Sequence, residues 1–288
     1  MKKLLCSVTI ILTATLTLTQ ANVTFDFNDQ TAFDSNFPVG SGNNENDSNR
    51  WLYGDESSVS LSGGSLHLHA GSSTDNPSSS SVTIYSNVAY SSNFDFISEA
   101  KVVRFEGLTM SVPSSGSTYV TNFGVANGHV GNLIKNSGPD DSIYIRMNRN
   151  GSAFELVQRI GGDSVSVENL NLGFDFSGGL GSVTFDYIEM TVSANAWALE
   201  AQISTGTLDG TTNISTSGTF DTAFESSSWG SDFHLAIQAE QAAENADRYT
   251  DLSLDSVSVS AIPEVSYASL IMGLLVVSLV GITRSKRV

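Results

Sequence analysis

Tyr144-Ile145-Arg146-Met147-Asn148-Arg149-Asn150-Gly151-Ser152-Ala153-Phe154-Glu155-Leu156-Val157 reads as two strands folded back on a tight turn. Asn-Gly readily takes the positive φ values that a short hairpin connection demands, and the flanking residues suit a pleated surface. Outward from this hairpin the same period-2 alternation recurs. It runs through Val23-Thr24-Phe25-Asp26-Phe27, Ser65-Leu66-His67-Leu68-His69, Ser81-Val82-Thr83-Ile84-Tyr85 and Ser142 to Met147. Later come Ser182 to Tyr187, Ile188 to Val192, Trp197 to Ile203, Phe233 to Ile237 and Leu252 to Val259. Turn clusters separate these runs: Ser62-Gly63-Gly64, Gly161-Gly162-Asp163 and Ser177-Gly178-Gly179. Helical periodicity is confined to the two chain ends and a short stretch from Glu240 to Ala246.

Many short strands, with an extended one at each end of the central region, predict an all-β, two-sheet antiparallel sandwich whose terminal strands pair. About 240 residues without Pro-rich linkers or internal repeats fit one domain, large enough to bury a core without disulfides. The order of elements resembles the concanavalin A-like (laminin G-like) jelly rolls. The resemblance is carried by Gly64-Ser65-Leu66-His67-Leu68, Tyr144 to Leu156, Thr184-Phe185-Asp186-Tyr187-Ile188-Glu189-Met190-Thr191-Val192 and Leu252 to Val259. A galactose-binding-type jelly roll gives the same alternation and stays open at this point.

The chain ends describe a route. Lys2 and Lys3, an apolar Leu4–Leu18 stretch and Thr19-Gln20-Ala21 read as a signal peptide over residues 1–21, handled by the Sec translocon and cut by signal peptidase after Ala21. Residues 22–261 form the expected ectodomain. In residues 262–288, Ile262-Pro263-Glu264 precede 17 uncharged residues from Tyr267 to Thr283, then Arg284, Lys286 and Arg287. As a helix, 267–283 spans about 25 Å, enough for a transmembrane segment, and the basic flank places its C-terminus in the cytoplasm.

This three-part tail resembles the PEP-CTERM sorting signal, with Val265 where the second Pro of the motif usually stands. The resemblance implies that the chain is the substrate of an exosortase, a membrane-embedded protease with Pro263 and Glu264 as its recognition residues. The ectodomain would then be released or re-anchored at the cell surface or in the extracellular matrix.

Residues 22–264 hold all 30 acidic and 8 of the 13 basic residues, a difference of −22. Such a surface repels nucleic acid and anionic membranes. Divalent ions would bridge it to anionic extracellular polysaccharide. The only cysteine, Cys6, lies within the signal, which removes disulfides and thiolate chemistry from the mature chain.

Catalysis finds little to use. A glycosidase needs two carboxyls on one face, and the Glu-x-Asp-x-x-Glu strand of laminarinase-like enzymes is absent. Asp186 and Glu189 point to opposite faces of a regular strand. Asp251 and Asp255 share a face as solvent-facing positions, and Glu240 and Glu244 share a helical one. His67 and His69 present two imidazoles side by side, one ligand short of a metal site. Calcium is the ion whose ligands are present: Asn44, Glu45 and Asp47 in one loop, Asp140 and Asp141 in another. Aromatic faces for stacking on sugars are offered by Trp51 and Tyr53 beside the Asn-rich loop and by Trp229 in Ser226-Ser227-Ser228-Trp229-Gly230, whereas Trp197 reads as core. The expectation is a non-catalytic, exported β-sandwich with a carbohydrate-binding or structural role. The alternative is a divergent glycoside hydrolase or lyase on the same fold.

Overall fold

The computed structural model describes residues 22–38, 52–53, 59–71, 81–111, 119–128, 140–148, 153–171, 182–205, 212–230, 232–240 and 249–262. The signal peptide, the 267–283 helix, the Pro263-Glu264 motif, Trp51 and the Asn44, Glu45 and Asp47 loop lie outside them. No helix among the described residues is long and apolar enough to cross a membrane. Asn22–Ala261 is a compact unit of its own. It contains every hydrophobic-core residue found among the described residues.

Two antiparallel sheets make up this unit. The nine-stranded sheet runs β13 (Asn213–Thr219), β12 (Ala196–Thr205), β11 (Ser182–Val192), β6 (Lys101–Ser111), β15 (Tyr249–Leu254), β4 (Ser65–Gly71) and β3 (Val59–Ser62). Beside β15, β16 (Ser256–Ala261) also pairs with β6, and β1 (Val23–Asp26) pairs with β16. The seven-stranded sheet runs β10 (Asp163–Asn171), β9 (Ala153–Ile160), β8 (Ser142–Asn148), β7 (Tyr119–Asn127), β14 (Phe233–Glu240), β5 (Ser81–Tyr85) and β2 (Leu52–Tyr53). The β8–β9 hairpin forms as the Asn-Gly turn predicts, and the first and last strands of the unit pair, Val23 opposite Val259. The expected two-sheet sandwich is therefore the observed one.

The inward residues of both sheets meet in one core. Phe105 of β6 meets Phe123 of β7 edge-on at 4.8 Å, and Phe154 of β9 stacks on Phe185 of β11 at 5.6 Å, so aromatic pairs bridge the layers. Short helices close the periphery. In α1 (Gln30–Asn36) the Asp29 carboxylate accepts the Ala32 amide at 2.8 Å as an N-cap, which sets Phe33 against Phe27 and Phe37. α2 (Ser91–Phe94) and α3 (Ser226–Trp229) lie near the start of β14 and bury Phe94 and Trp229.

Three readings of the sequence change. Ser182–Tyr187 and Ile188–Val192 are one strand, β11, interrupted by a bulge at Asp186 that reverses the inward phase from Val183 and Phe185 to Ile188, Met190 and Val192. Asp186 and Glu189 therefore both face outward, against the expectation for a regular strand. Leu252–Val259 in turn is two strands parted at Asp255. Gly107, at φ +63° in β6, lies in register between Asp255 and Asp186, so the phase breaks line up across three neighbouring strands. A third correction concerns Glu240, which ends β14 rather than starting a helix.

Candidate functional site

The faces turned away from the core differ in what they present. On the seven-stranded sheet the cross-strand register lines up three rows. The first runs Thr83, Gln238, Asn122, Arg146, Glu155 and Asn169, with Tyr53 opposite Thr83 at its edge. The second runs Tyr85, Ala236, Gly124, Tyr144 and Val157; the third His234, Ala126, Ser142 and Arg159. An apolar, tyrosine-flanked stripe thus lies between two polar ones.

Gly124 is required in that stripe, because a Cβ there would come within 2.2 Å of the Ile143 carbonyl oxygen and 2.5 Å of the Tyr144 Cα. Along the first row the Arg146 guanidinium pairs with one Glu155 oxygen while Asn169 donates to the other at 3.1 Å. Asn122 donates to Gln238 at 3.4 Å, and Gln238 to Glu240 at 3.5 Å. Thr83, Asn122, Ser142, Tyr144, His234 and Gln238 are all fully buried, so this face is recessed from solvent. Among the described residues the Thr83 Oγ1, Asn122 Oδ1 and Ser142 Oγ atoms find no hydrogen-bond partner.

An open site lies at the end of the sandwich, where β14 begins. A cavity of about 490 Å³ is lined by Val88, Ala89, Ser91, Ser92, Asp95, Ser98, Ser226, Gly230 and Phe233. Its polar groups are mostly hydroxyls. Ser92, Ser98 and Ser226 are exposed, and the Ser91 hydroxyl accepts the Phe233 amide at 2.8 Å. Asp95 is held rigid: one carboxylate oxygen accepts the Ile97 and Ser98 amides at 3.2 and 3.0 Å, and the other the Ser98 hydroxyl at 2.6 Å. Val88, 48% exposed, forms an apolar lip, and Phe233 an apolar floor.

Trp229 borders this cavity without entering it. Expected as a stacking platform, it is 2% exposed, stacked on Phe233 at 5.2 Å and met edge-on by Phe96 and Phe224. That corrects its assignment, because a buried ring has no face left for a sugar. Its neighbours Ser226 and Gly230 line the opening instead. Tyr53 lies on the sheet edge opposite Thr83.

The metal candidates divide. Asp141 is 2% exposed, and its carboxylate accepts the Gly161 amide at 2.7 Å while its backbone pairs with Asn127. One of its carboxylate oxygens thereby secures the β9–β10 turn. Asp140 is exposed, and its carbonyl accepts the Gly162 amide at 2.8 Å. His67 bonds the Ser62 carbonyl and His69 the Asp251 carboxylate at 2.5 Å. Among the described residues no three ligating side chains gather.

Carboxylate spacing bears on hydrolysis. Among the described residues the cavity is lined by one carboxylate, Asp95. On the recessed face Glu155 and Glu240 stand three strands apart, about 14 Å at about 4.8 Å per strand, beyond the reach of a glycosidase pair at roughly 5–10 Å. On the nine-stranded sheet Glu189 lies opposite Glu200, and Arg104 bonds Glu106 at 2.9 Å and Glu189 at 3.2 Å with its guanidinium 3.9 Å over the Tyr187 ring. Burial works against the Arg104 charge, but the hydrogen bonds to Glu106 and Glu189 outweigh it and push its pKa above the ordinary value.

No protein-family model matches this chain, and no curated protein sequence does. Its likeness is to solved structures. A β-glucanase of Bacillus licheniformis superposes on 84% of this chain and 98% of its own with a TM-score of 0.50 at 12% identity. A winged bean acidic lectin in complex with methyl-α-D-galactose covers 84% of this chain and 100% of its own at a TM-score of 0.48 and 11% identity. A Bauhinia forficata lectin in complex with GalNAc covers 84% and 99% at 0.48 and 12%. At such identities the glucanase likeness establishes the fold alone, a concanavalin A-like jelly roll.

Proposed function

We propose that this protein is an exported, non-catalytic jelly roll that contacts neutral, hydroxyl-rich carbohydrate in the cavity between α2 and α3. The observation that carries the reading is the lining: serine hydroxyls and a fixed carboxylate beside an apolar lip and floor. Sugars present both chemistries, hydroxyls at the ring edge and C–H groups on its faces, and a few placed polar groups in an otherwise apolar cleft give orientation. A single acid whose oxygens are already engaged favours binding over hydrolysis. The tail supports handling by an exosortase-type protease, with the ectodomain delivered to the cell surface or matrix.

A glycan array probed with residues 22–261, with and without calcium, tests the binding. Neutral glycans are expected to bind in both conditions, and Ser92→Phe, which fills the opening from an exposed position, should abolish the signal without lowering Tm. An array blank in both conditions would leave a structural role, and release of reducing sugar from a bound glucan would move the assignment to a hydrolase. Processing is read from the intact mass of the mature protein in its native host, where retention of residues 265–288 would rule out cleavage at Pro263-Glu264.

A further inference from the structure

The lip of the cavity is a single 3-10 turn, Val88–Tyr90, and its two lining residues, Val88 and Ala89, are exposed, so packing does not hold them. Hydrogen bonds do. On one side Ser86 is tied to β14: its amide donates to the Leu235 carbonyl at 2.9 Å, and its hydroxyl accepts the Leu235 amide at 2.9 Å. Within the turn the Asn87 side chain accepts the Ala89 amide at 3.0 Å, and the Asn87 carbonyl accepts the Tyr90 amide at 3.0 Å.

The other side is fixed by α1, none of whose residues line the cavity. A helix leaves its last carbonyls without partners of its own, and Asn87 supplies donors to two of them. Its backbone amide donates to the Asn36 carbonyl at 2.7 Å and its side-chain amide to the Ser35 carbonyl at 3.2 Å. Tyr90 adds a third bond, donating its hydroxyl to Asn36 Oδ1 at 2.5 Å. Helix end and turn thus complete each other across 54 positions of sequence. The Tyr90 ring also meets Phe25 of β1 edge-on at 5.0 Å, and Phe25 lies in register with Val257 of β16. The lip is therefore joined to the first and last strands of the domain, although neither strand lines the cavity.

We propose that Asn36 and Tyr90 are positioning residues of this cavity, which set the apolar lip at Val88 and Ala89 before a ligand arrives. That the ligand is a carbohydrate rests on the function proposed for the cavity; that these two residues set the lip does not. A lip ordered in advance loses no freedom on binding, so affinity rises. Their shared side-chain bond can be removed without touching the core. Tyr90→Phe keeps the ring against Phe25, and Asn36→Ala keeps the carbonyl that accepts from Asn87. Asn36→Asp retains an acceptor oxygen for the Tyr90 hydroxyl and should restore the turn.

Hydrogen–deuterium exchange on the full-length chain in detergent reads the turn through the Ala89, Tyr90 and Ser91 amides, each bonded within it. In Tyr90→Phe and Asn36→Ala these amides are expected to exchange about tenfold faster, with Asn36→Asp at the parental rate and β14 unchanged in all three. On the array of neutral glycans the same two variants should bind about tenfold more weakly, and Asn36→Asp should bind as the parent does. Unchanged exchange in both variants overturns the proposal, as does faster exchange with undiminished glycan binding. A parent chain that binds no glycan while the exchange pattern holds strikes the carbohydrate reading and leaves the positioning of the lip standing.

Discussion

Each sheet carries an arginine–glutamate pair on the face away from the core, and the two pairs live in different solvents. Arg146 and Glu155 have side chains 15% and 10% exposed, whereas Arg104 is 33% exposed with partners Glu106 at 48% and Glu189 at 26%. Coulomb attraction favours both. What separates them is the desolvation already spent: a recessed charge that loses its partner has no water to turn to, and an exposed one does. Burial of the face, rather than the count of ion pairs, decides how much each contributes.

The sharpest way to break the comparison is to remove one partner on the recessed side. Arg146→Ala strands the Glu155 carboxylate with Asn169 as its remaining donor among the described residues, at an expected cost of about 3–5 kcal/mol. Chemical denaturation of residues 22–261 measures it. Replacing both, Arg146→Met with Glu155→Leu, should recover most of that loss, since no charge is then left buried. A single variant within about 1 kcal/mol of the parent would mean that the face is wetter than its burial implies.

A smaller effect is expected where the nine-stranded sheet reverses phase. At Gly107 the backbone is left-handed, and a Cβ would lie 2.0 Å from Asp255 Oδ2. Gly107→Ala should cost about 1–3 kcal/mol, read from the shift in denaturant midpoint. If Gly107→Ala with Asp255→Gly recovers only part of this, the residue is backbone strain; if it recovers all, the clash was the whole effect.

The same contrast shows what could be seen in the sequence. Arg146 and Glu155 are symmetric about Asn150-Gly151, so the hairpin reading already implied their pairing in register. Arg104 and Glu189 are 85 positions apart, and no local pattern brings them together. β6, which carries Arg104, pairs with three strands yet escaped notice because its inward phase moves from Val103 and Phe105 to Leu108 and Met110 at Gly107, cancelling the alternation over the whole run. The cavity was half legible. Ser226 to Gly230 drew attention for its tryptophan, but one helical turn buries Trp229 and turns the small residues outward, a choice that depends on Phe96, far away in sequence, as well as on nearby Phe224.

The smallest effect is expected at Arg104 itself. Its guanidinium keeps its charge at every working pH, since its pKa is displaced upward from an already high value. Arg104→Ala loses two solvent-screened hydrogen-bonded pairs and a contact with Tyr187, worth together about 1 kcal/mol or less at low salt. It also leaves Glu106 and Glu189, diagonal neighbours on adjacent strands, without their cation, with Glu200 opposite Glu189. That repulsion is screened by salt, so the destabilisation should shrink between about 0.1 M and about 1 M, while the loss in Arg146→Ala should hardly move. Parallel salt titrations of the two variants measure the contrast directly, and equal salt responses would show that the two faces do not differ in the way their burial requires.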